Sequence, residues 1–379
     1  MNPKEVRDLF PVLKSRAYMF SGGIAPNTTR TLEAIEDFNN KLTNDPGELY
    51  RTAREDFDIV RRLFADLIGA DEDEIAITDS TGAGSNLAID LIDPTPGSNV
   101  VFDASAYPSA AFPWMLPGRD HVERRFVSYR DRVVHLEDIA AAMDDNTIAV
   151  SVSHVSQETG FRYDLSELAK LTHKYGAVLC VDAMQSAGAL CIDVHDEDID
   201  FLATGAMKWL MGSAGVGFFY AARRHLDRMP PHAGGPGAVR DKRPWGEREF
   251  MPLPGADRLH IGMPNLLGLA ATRPGLEILH ELGMETVEAH VLDLSGYCIS
   301  QLRERGLTVV TPFEEKDRAG IVSIQMKSDE DALNADEFLT SQGVDAYHAE
   351  GILRVDPHVF NNRDDIDRFL KGLDEYLKL

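Results

Sequence analysis

Hydrophobic positions along the chain fall into short apolar runs, and these alternate with amphipathic stretches. Glu74–Thr78, Asn99–Asp103, Thr147–Ser153, Ala177–Val181, Phe201–Thr204 and Val216–Tyr220 have strand length and little internal polarity. Such runs suit strands that are buried on both faces. Residues 28–69 instead carry apolar side chains at helical spacing, for example Phe57, Val60, Phe64 and Leu67, and Gly69 is a natural stop. Leu87–Ile92, His135–Met143 and residues 165–175 read as further helices. Strands alternating with helices predict an α/β fold, a mostly parallel sheet with helices on both faces.

After Tyr220 the pattern changes. Residues 230–254 are rich in Pro and Gly and irregular, and a loop of that length is usually functional or part of an interface. Residues 265–304 predict two helices with a turn at Gly283. Thr308–Val310 and Gly320–Met326 predict strands, Ala335–Gln342 a helix, Leu353–Val355 a short strand and 363–378 a last amphipathic helix. Residues 1–17 hold a short helix before Pro11. The expected organisation is a large domain over 18–258, with a smaller α+β domain built from 1–17 and 259–379.

Composition narrows the function. A net charge of −24 over 379 residues disfavours nucleic acid and acidic membrane as partners, because phosphate groups repel such a surface. Cys180, Cys191 and Cys298 show no metal-ligand spacing, so no metal site is expected. The first residues lack a basic-then-apolar leader, and no run reaches the ~20 apolar residues of a membrane span. A reduced, cytoplasmic enzyme is the expectation.

The candidate chemistry lies at two strand ends. Asp182 closes one apolar run, and Lys208 follows the next one within a strongly apolar setting of Met207, Trp209, Leu210 and Met211. A charged lysine is costly there. A carboxylate at a strand end points into the crevice where open α/β sheets bind ligands. A lysine can form an imine with an aldehyde cofactor, and a carboxylate can keep that cofactor's pyridine nitrogen protonated, as pyridoxal phosphate requires. Ser80 to Asn86, a Gly- and hydroxyl-rich turn between a strand and a helix, reads as an anion site. Gly82-Ala83-Gly84 followed by Asp103 imitates a dinucleotide fingerprint, but Leu87 occupies the place where close helix packing needs Gly or Ala. His154, at another strand end, reads as a hydrogen-bonded structural histidine.

Asp182, Gln185 and Lys208, with Gly212, Gly215 and Gly217 after them, resemble the active-site segment of fold-type I pyridoxal-phosphate enzymes of the class V aminotransferase and cysteine desulfurase superfamily. The resemblance runs from Phe20 to Leu377 and is nearest to the branch of isopenicillin N epimerase-like proteins. It implies the three-layer fold of the PLP-dependent transferases, pyridoxal 5'-phosphate as cofactor, and a homodimer with shared active sites. It implies catalytic roles for Lys208 and Asp182. It places Thr81, Gly82, Ala83, Tyr107, Gln157, Asp182, Gln185, Thr204 and Lys208 on the cofactor, with Tyr107 stacked on its ring. Arg354 and Gln157 fall to the substrate, Arg354 on the α-carboxylate, where its planar fork forms paired hydrogen bonds.

Four positions depart from the family pattern. Gly205 and Met207 stand where a phosphate-binding Ser and a His often precede the lysine, and Gly262-Met263-Pro264 lacks the Thr that reaches the partner's phosphate. Thr81, Ser80, Ser85 and Thr204 are the hydroxyls available to compensate. Residues 345–351 contain no cysteine, which argues against persulfide-forming desulfuration. Proton transfers then fall to Lys208, His348, Glu350 or Tyr107. The expected activity is a transformation of a small amino acid through a Cα carbanion, of lyase type (elimination or decarboxylation). A class V aminotransferase, an amino-acid epimerase and a non-catalytic scaffold that keeps the fold stand beside it.

Overall fold

The computed structural model describes residues 1–130, 132–226, 234–240, 246 and 249–379, with Ala53 described by its backbone alone. Part of the Pro/Gly-rich stretch at 230–254 therefore lies outside the described residues. The strands are β1 (Ala17–Tyr18), β2 (Ile75–Thr78), β3 (Asn99–Asp103), β4 (Glu123–Val127), β5 (Thr147–Ser153), β6 (Val178–Asp182), β7 (Phe201–Gly205), β8 (Gly217–Ala221), β9 (Val322–Gln325), β10 (Val344–Asp345), β11 (Tyr347–Ala349) and β12 (Ile352–Val355). Seven of them form one sheet in the order β2-β8-β7-β6-β5-β3-β4. β8 runs antiparallel to both of its neighbours, and every other pairing in that sheet is parallel.

Side-chain alternation divides the central strands between two apolar layers. Leu179, Val181, Leu202, Phe218 and Tyr220 enter one core, with Phe64 stacked on Phe218 at 4.1 Å. Cys180, Phe201, Ala203 and Phe219 enter the other, with Phe102 and Trp114. This is the period of two expected of a strand buried on both faces. A third core joins β9 and β12 to the helices Asp329–Ser341 and Arg363–Tyr376. β1 pairs in parallel with β10, so Ala17 and Met19 join this third core, whereas Val6, Phe10 and Leu13 pack in the core that holds Phe64 and Phe218. No helix among the described residues is long and apolar enough to cross a membrane.

Several boundaries differ from the sequence expectation. The 28–69 stretch is two helices, Thr29–Asn44 and Pro46–Leu67. Asp45 breaks it by accepting the Glu48 N–H at 3.1 Å, and Pro46 sits in a first turn that needs no N–H donor. The helix expected at Leu87 begins at Thr81, because the Ser80 hydroxyl caps the Ala83 N–H at 3.2 Å. The Gly-rich turn is thus the helix's own first turns, and Gly84 lets it approach β7, since a Cβ there would lie 2.8 Å from the Ala203 Cβ. Thr308–Val310 makes only a single bridge, Val309 to Ile324. β4 has a largely unburied pattern, so no apolar run announces it.

Asp200, just before β7, anchors the far end of the sheet. Its side chain is 2% exposed and accepts from His173 at 2.7 Å, His225 at 2.6 Å, Arg224 at 2.6 Å and the Leu179 N–H at 2.8 Å. Burial alone would raise its pKa, but these donors hold it well below the usual carboxylate range. A depressed carboxylate stabilises the fold above its unfolded pKa, and that stability is lost as pH falls through the folded value. Asp200→Ala removes the buried acceptor from His225 and the Leu179 N–H and leaves His173 and Arg224 only Asp198, and it is expected to cost about 3–5 kcal/mol, read by urea unfolding at neutral pH. A loss below about 1 kcal/mol would show that the cluster carries little stability.

Candidate active site

The crevice forms where β6 and β7 end side by side. Asp182 is the last residue of β6, and Lys208 follows β7 by three residues. The turn that carries the lysine is fastened from several sides. Ala206 exchanges hydrogen bonds with the next stretch, its N–H reaching Val216 O at 2.9 Å and its carbonyl taking the Gly212 N–H at 2.8 Å. Trp209 is fully buried and donates its indole N–H to Gln185 at 2.8 Å. The Met207 carbonyl accepts from the Ala25 N–H at 2.8 Å, which lays the 21–27 loop against the turn.

Lys208 opens onto a cavity of about 250 Å³ that is also lined by Thr81, Gly82, Tyr107, Ser109 and Met184. Its Nζ lies 5.7 Å from the centre of the Tyr107 ring. Burial, and then the positive charge of Arg354, pulls the lysine's pKa down to about 8, while Asp182 and Asp356 oppose the shift. About a tenth of the amine is therefore neutral and nucleophilic at pH 7, far more than for an ordinary lysine.

Asp182 is buried and accepts from the Ser109 hydroxyl at 2.5 Å and the Met184 N–H at 2.9 Å. Desolvation raises its pKa, against the pull of Ser109, the Met184 N–H and Lys208. A buried carboxylate with a raised pKa gains from a cationic partner such as a protonated ring nitrogen. Tyr107 is half exposed, and its N–H donates to the Ser153 hydroxyl at 3.0 Å, which fixes the start of the short helix carrying Ser109.

The anion end is built on the helix Thr81–Ile92. Its first N–H groups and its dipole favour negative charge. Ala83 spends its N–H on Ser80 and lines the neighbouring cleft with Ile261 and Met263. Ser85 turns back to the Thr81 carbonyl at 3.1 Å. Thr204 is fully buried, with its hydroxyl on the Gly205 carbonyl at 3.3 Å. The Thr81 hydroxyl points to the Met184 sulfur at 3.4 Å, and the Gly205 N–H to the same sulfur at 3.1 Å. The Gly205 position is thus packed by a thioether: a Cβ there would stand 3.1 Å from both Met184 Sδ and Cε.

Other expected residues lie behind this first layer. Gln185 spends its amide on Gly22 O at 3.0 Å and on Trp209, so it braces the lysine turn rather than lining the cavity. Arg354 is buried in β12, donates to the Gln157 carbonyl at 2.8 Å, and carries the Tyr347 ring 4.5 Å from its guanidinium carbon. Gln157 meets Arg354 through its main chain. His348 pairs with Asp336 at 2.7 Å, away from the cavity. Glu350 is exposed and has a left-handed backbone with φ of 50°. His154 is buried, and desolvation lowers its pKa to about 3, so it stays neutral. The sequence reading assigned no role to Ser109, Met184 or Asp356. The first two follow the Tyr-Pro and Asp-Ala dipeptides at the strand ends, and position after a strand end was the signal available.

Residues 17–369 match the family model Aminotransferase class-V. An uncharacterized aminotransferase, YcbU of Bacillus subtilis, is 27% identical over 370 residues, covering 96% of this chain and 95% of that protein. The apo structure of a cysteine desulfurase from Thermococcus onnurineus superposes with a TM-score of 0.89 at 24% identity, covering 100% of this chain and 98% of the other. C-DES, a cystine C-S lyase, superposes with a TM-score of 0.87 at 20% identity in complex with its product cysteine persulfide, covering 96% and 98%. A variant of C-DES with glycine covalently linked to its PLP cofactor gives 0.89 at 21%, covering 97% and 98%.

Proposed function

The chain belongs to the class-V aminotransferase family, and from that premise we propose that it is a PLP-dependent lyase acting on a small amino acid. Pyridoxal 5'-phosphate is the family's cofactor, and the residues present fit it. A buried amine, an aromatic face, a buried carboxylate and a helix N-terminus surround or underlie one cavity. Bound there, pyridoxal phosphate supplies an electron sink for the pair left when a bond at the amino acid's Cα breaks.

Lys208 would hold the cofactor through its amine and, when that amine is free, would be the base that moves the Cα proton. Asp182 would hold the ring nitrogen's proton, with its carboxylate fixed by Ser109. Tyr107 would cover the ring. The Thr81 and Gly82 end of the helix would hold the phosphate, with the Thr81 hydroxyl free to turn from Met184 to a stronger acceptor. Arg354 would receive the substrate carboxylate.

The observation that carries the lyase reading over desulfuration is the placement of the cysteines. Cys180 and Cys298 are buried, Cys191 is held up to about 12 by burial and Glu288, and none of the three lines the Lys208 cavity. A persulfide has no thiolate to form on. Exposed Phe112, Met115, Leu116, Ile261 and Met263 favour a homodimer as the assembly, since large exposed apolar side chains are what an interface covers.

The test is a panel of amino acids with the PLP-loaded protein. A lyase releases its product without any added keto acid. Product formation that requires a keto-acid acceptor would instead make it an aminotransferase, and inversion at Cα without bond loss an epimerase. Capture of pyridoxal phosphate by the apoprotein has its own pH signature. Only the neutral amine attacks, so the capture rate is expected to rise about tenfold per pH unit below 8 and to level off above it. Stopped-flow absorbance measures this, and a flat profile from about pH 6.5 to 9.5 would contradict the lowered lysine pKa.

A further inference from the structure

Arg354 already has a carboxylate. Its Nη2 donates to Asp356 Oδ2 at 3.0 Å, and the two side chains are 4% and 0% exposed. Its Nη1 is on the Gln157 carbonyl, and its Nε is buried without a partner among the described residues. Asp356 Oδ2 also accepts the Gly22 N–H at 3.1 Å, and Oδ1 is buried without a partner among the described residues. The loop at Gly22 closes tightly over the pair: a Cβ on Gly22 would lie 2.5 Å from Asp356 Oδ2. Asp356 is held from behind as well, its N–H donating to the Met19 carbonyl at 2.7 Å.

A guanidinium binds a carboxylate well when a donor edge is free and its charge is uncompensated. Here Nη1 and Nη2 both hold acceptors, which leaves Nε alone without one among the described residues, and Asp356 offsets the charge. One nitrogen faces a backbone carbonyl, another faces an internal carboxylate, and a buried ion pair attracts a further anion far less than a bare cation does. The remaining buried donor, Nε, is the one that gains by a ligand's arrival, because an unmade buried hydrogen bond is costly.

We infer that Asp356 is an internal competitor for the substrate's carboxylate at Arg354, a specificity-setting residue that keeps the site's affinity for the carboxylate low. Selection among amino acids then falls on contacts other than the carboxylate that all of them share. The inference rests on the carboxylate role proposed for Arg354, and the experiment separates the two.

Succinate, which has carboxylates but no amine to react, is titrated into the full-length, PLP-loaded protein by calorimetry. Asp356→Asn keeps an acceptor for the Gly22 N–H and removes the charge. It is expected to bind succinate at least tenfold more tightly than the unaltered protein, and Arg354→Gln added to it should erase the gain. Asp356→Ser gives the same reading with a smaller side chain. Thermal unfolding guards against a folding defect, since succinate should raise the Tm of either variant more than that of the unaltered protein. Unchanged or weaker binding in both variants, while Arg354→Gln alone abolishes binding, would overturn the competitor role and leave Arg354's role intact. Succinate binding that ignores Arg354→Gln as well would overturn both.

Discussion

Lys208→Ala is expected to lower turnover by about 10²–10⁴-fold, the usual worth of a positioned general acid or base. The variant should still take up pyridoxal phosphate, because Asp182, Tyr107 and the Thr81 helix end are untouched, but the cofactor should dialyse away. The reason lies in how the lysine is held. Its turn is pinned by Trp209, Gln185 and Ala25, its amine opens onto the cavity, and burial lowers its pKa to about 8. Neither the two histidines nor the glutamate considered for the role is placed to replace it. His348 is bound to Asp336, His154 is buried and neutral, and Glu350 is exposed. Tyr107, whose ring centre lies 5.7 Å from the amine, is a neighbouring side chain that carries a hydroxyl. Turnover within about tenfold of the unaltered enzyme would move the proton chemistry to Tyr107.

Asp182→Asn should lower turnover by about 10²–10³-fold while leaving the fold intact. The amide matches the carboxylate in shape, can still accept from the Met184 N–H through its oxygen and can donate its NH2 to the Ser109 hydroxyl, but it cannot hold a ring nitrogen in its protonated form. The electron sink weakens accordingly. A second consequence separates this from a packing defect. Asp182's charge raises the pKa of Lys208, so removing it should move the midpoint of cofactor capture below 8. Steady-state kinetics and the capture profile measure the two effects. A loss of activity with an unmoved midpoint would make Asp182 a packing residue.

Much of this architecture was legible from apolar runs alone. β3, β5, β6, β7 and β8 are buried on both faces, and strands of that kind declare themselves by uninterrupted hydrophobicity. The edge strand β4, with the sequence Glu-Arg-Arg-Phe-Val, did not, since its residues are largely outside the core. The helix start at Thr81 was masked by Gly82 and Gly84, which read as a turn until the close packing of Gly84 on β7 is seen. Asp182 and Lys208 were legible because strand ends are fixed points in the topology. The partnership of Arg354, Asp356 and Gly22 was not. It joins residues more than three hundred positions apart, through β1's pairing with β10 and a loop closing over a buried pair. Met184 was hidden for a similar reason: its sulfur fills the space left by a glycine on the adjacent strand.

The central claim is that Lys208 is the residue that carries the cofactor. The most direct measurement is borohydride reduction of the pyridoxal-phosphate-loaded protein, followed by proteolysis and mass spectrometry. The account predicts one stoichiometric pyridoxyl label, on the peptide that contains Lys208. A label on another lysine, or scattered substoichiometric labelling with Lys208 unmodified, would contradict it.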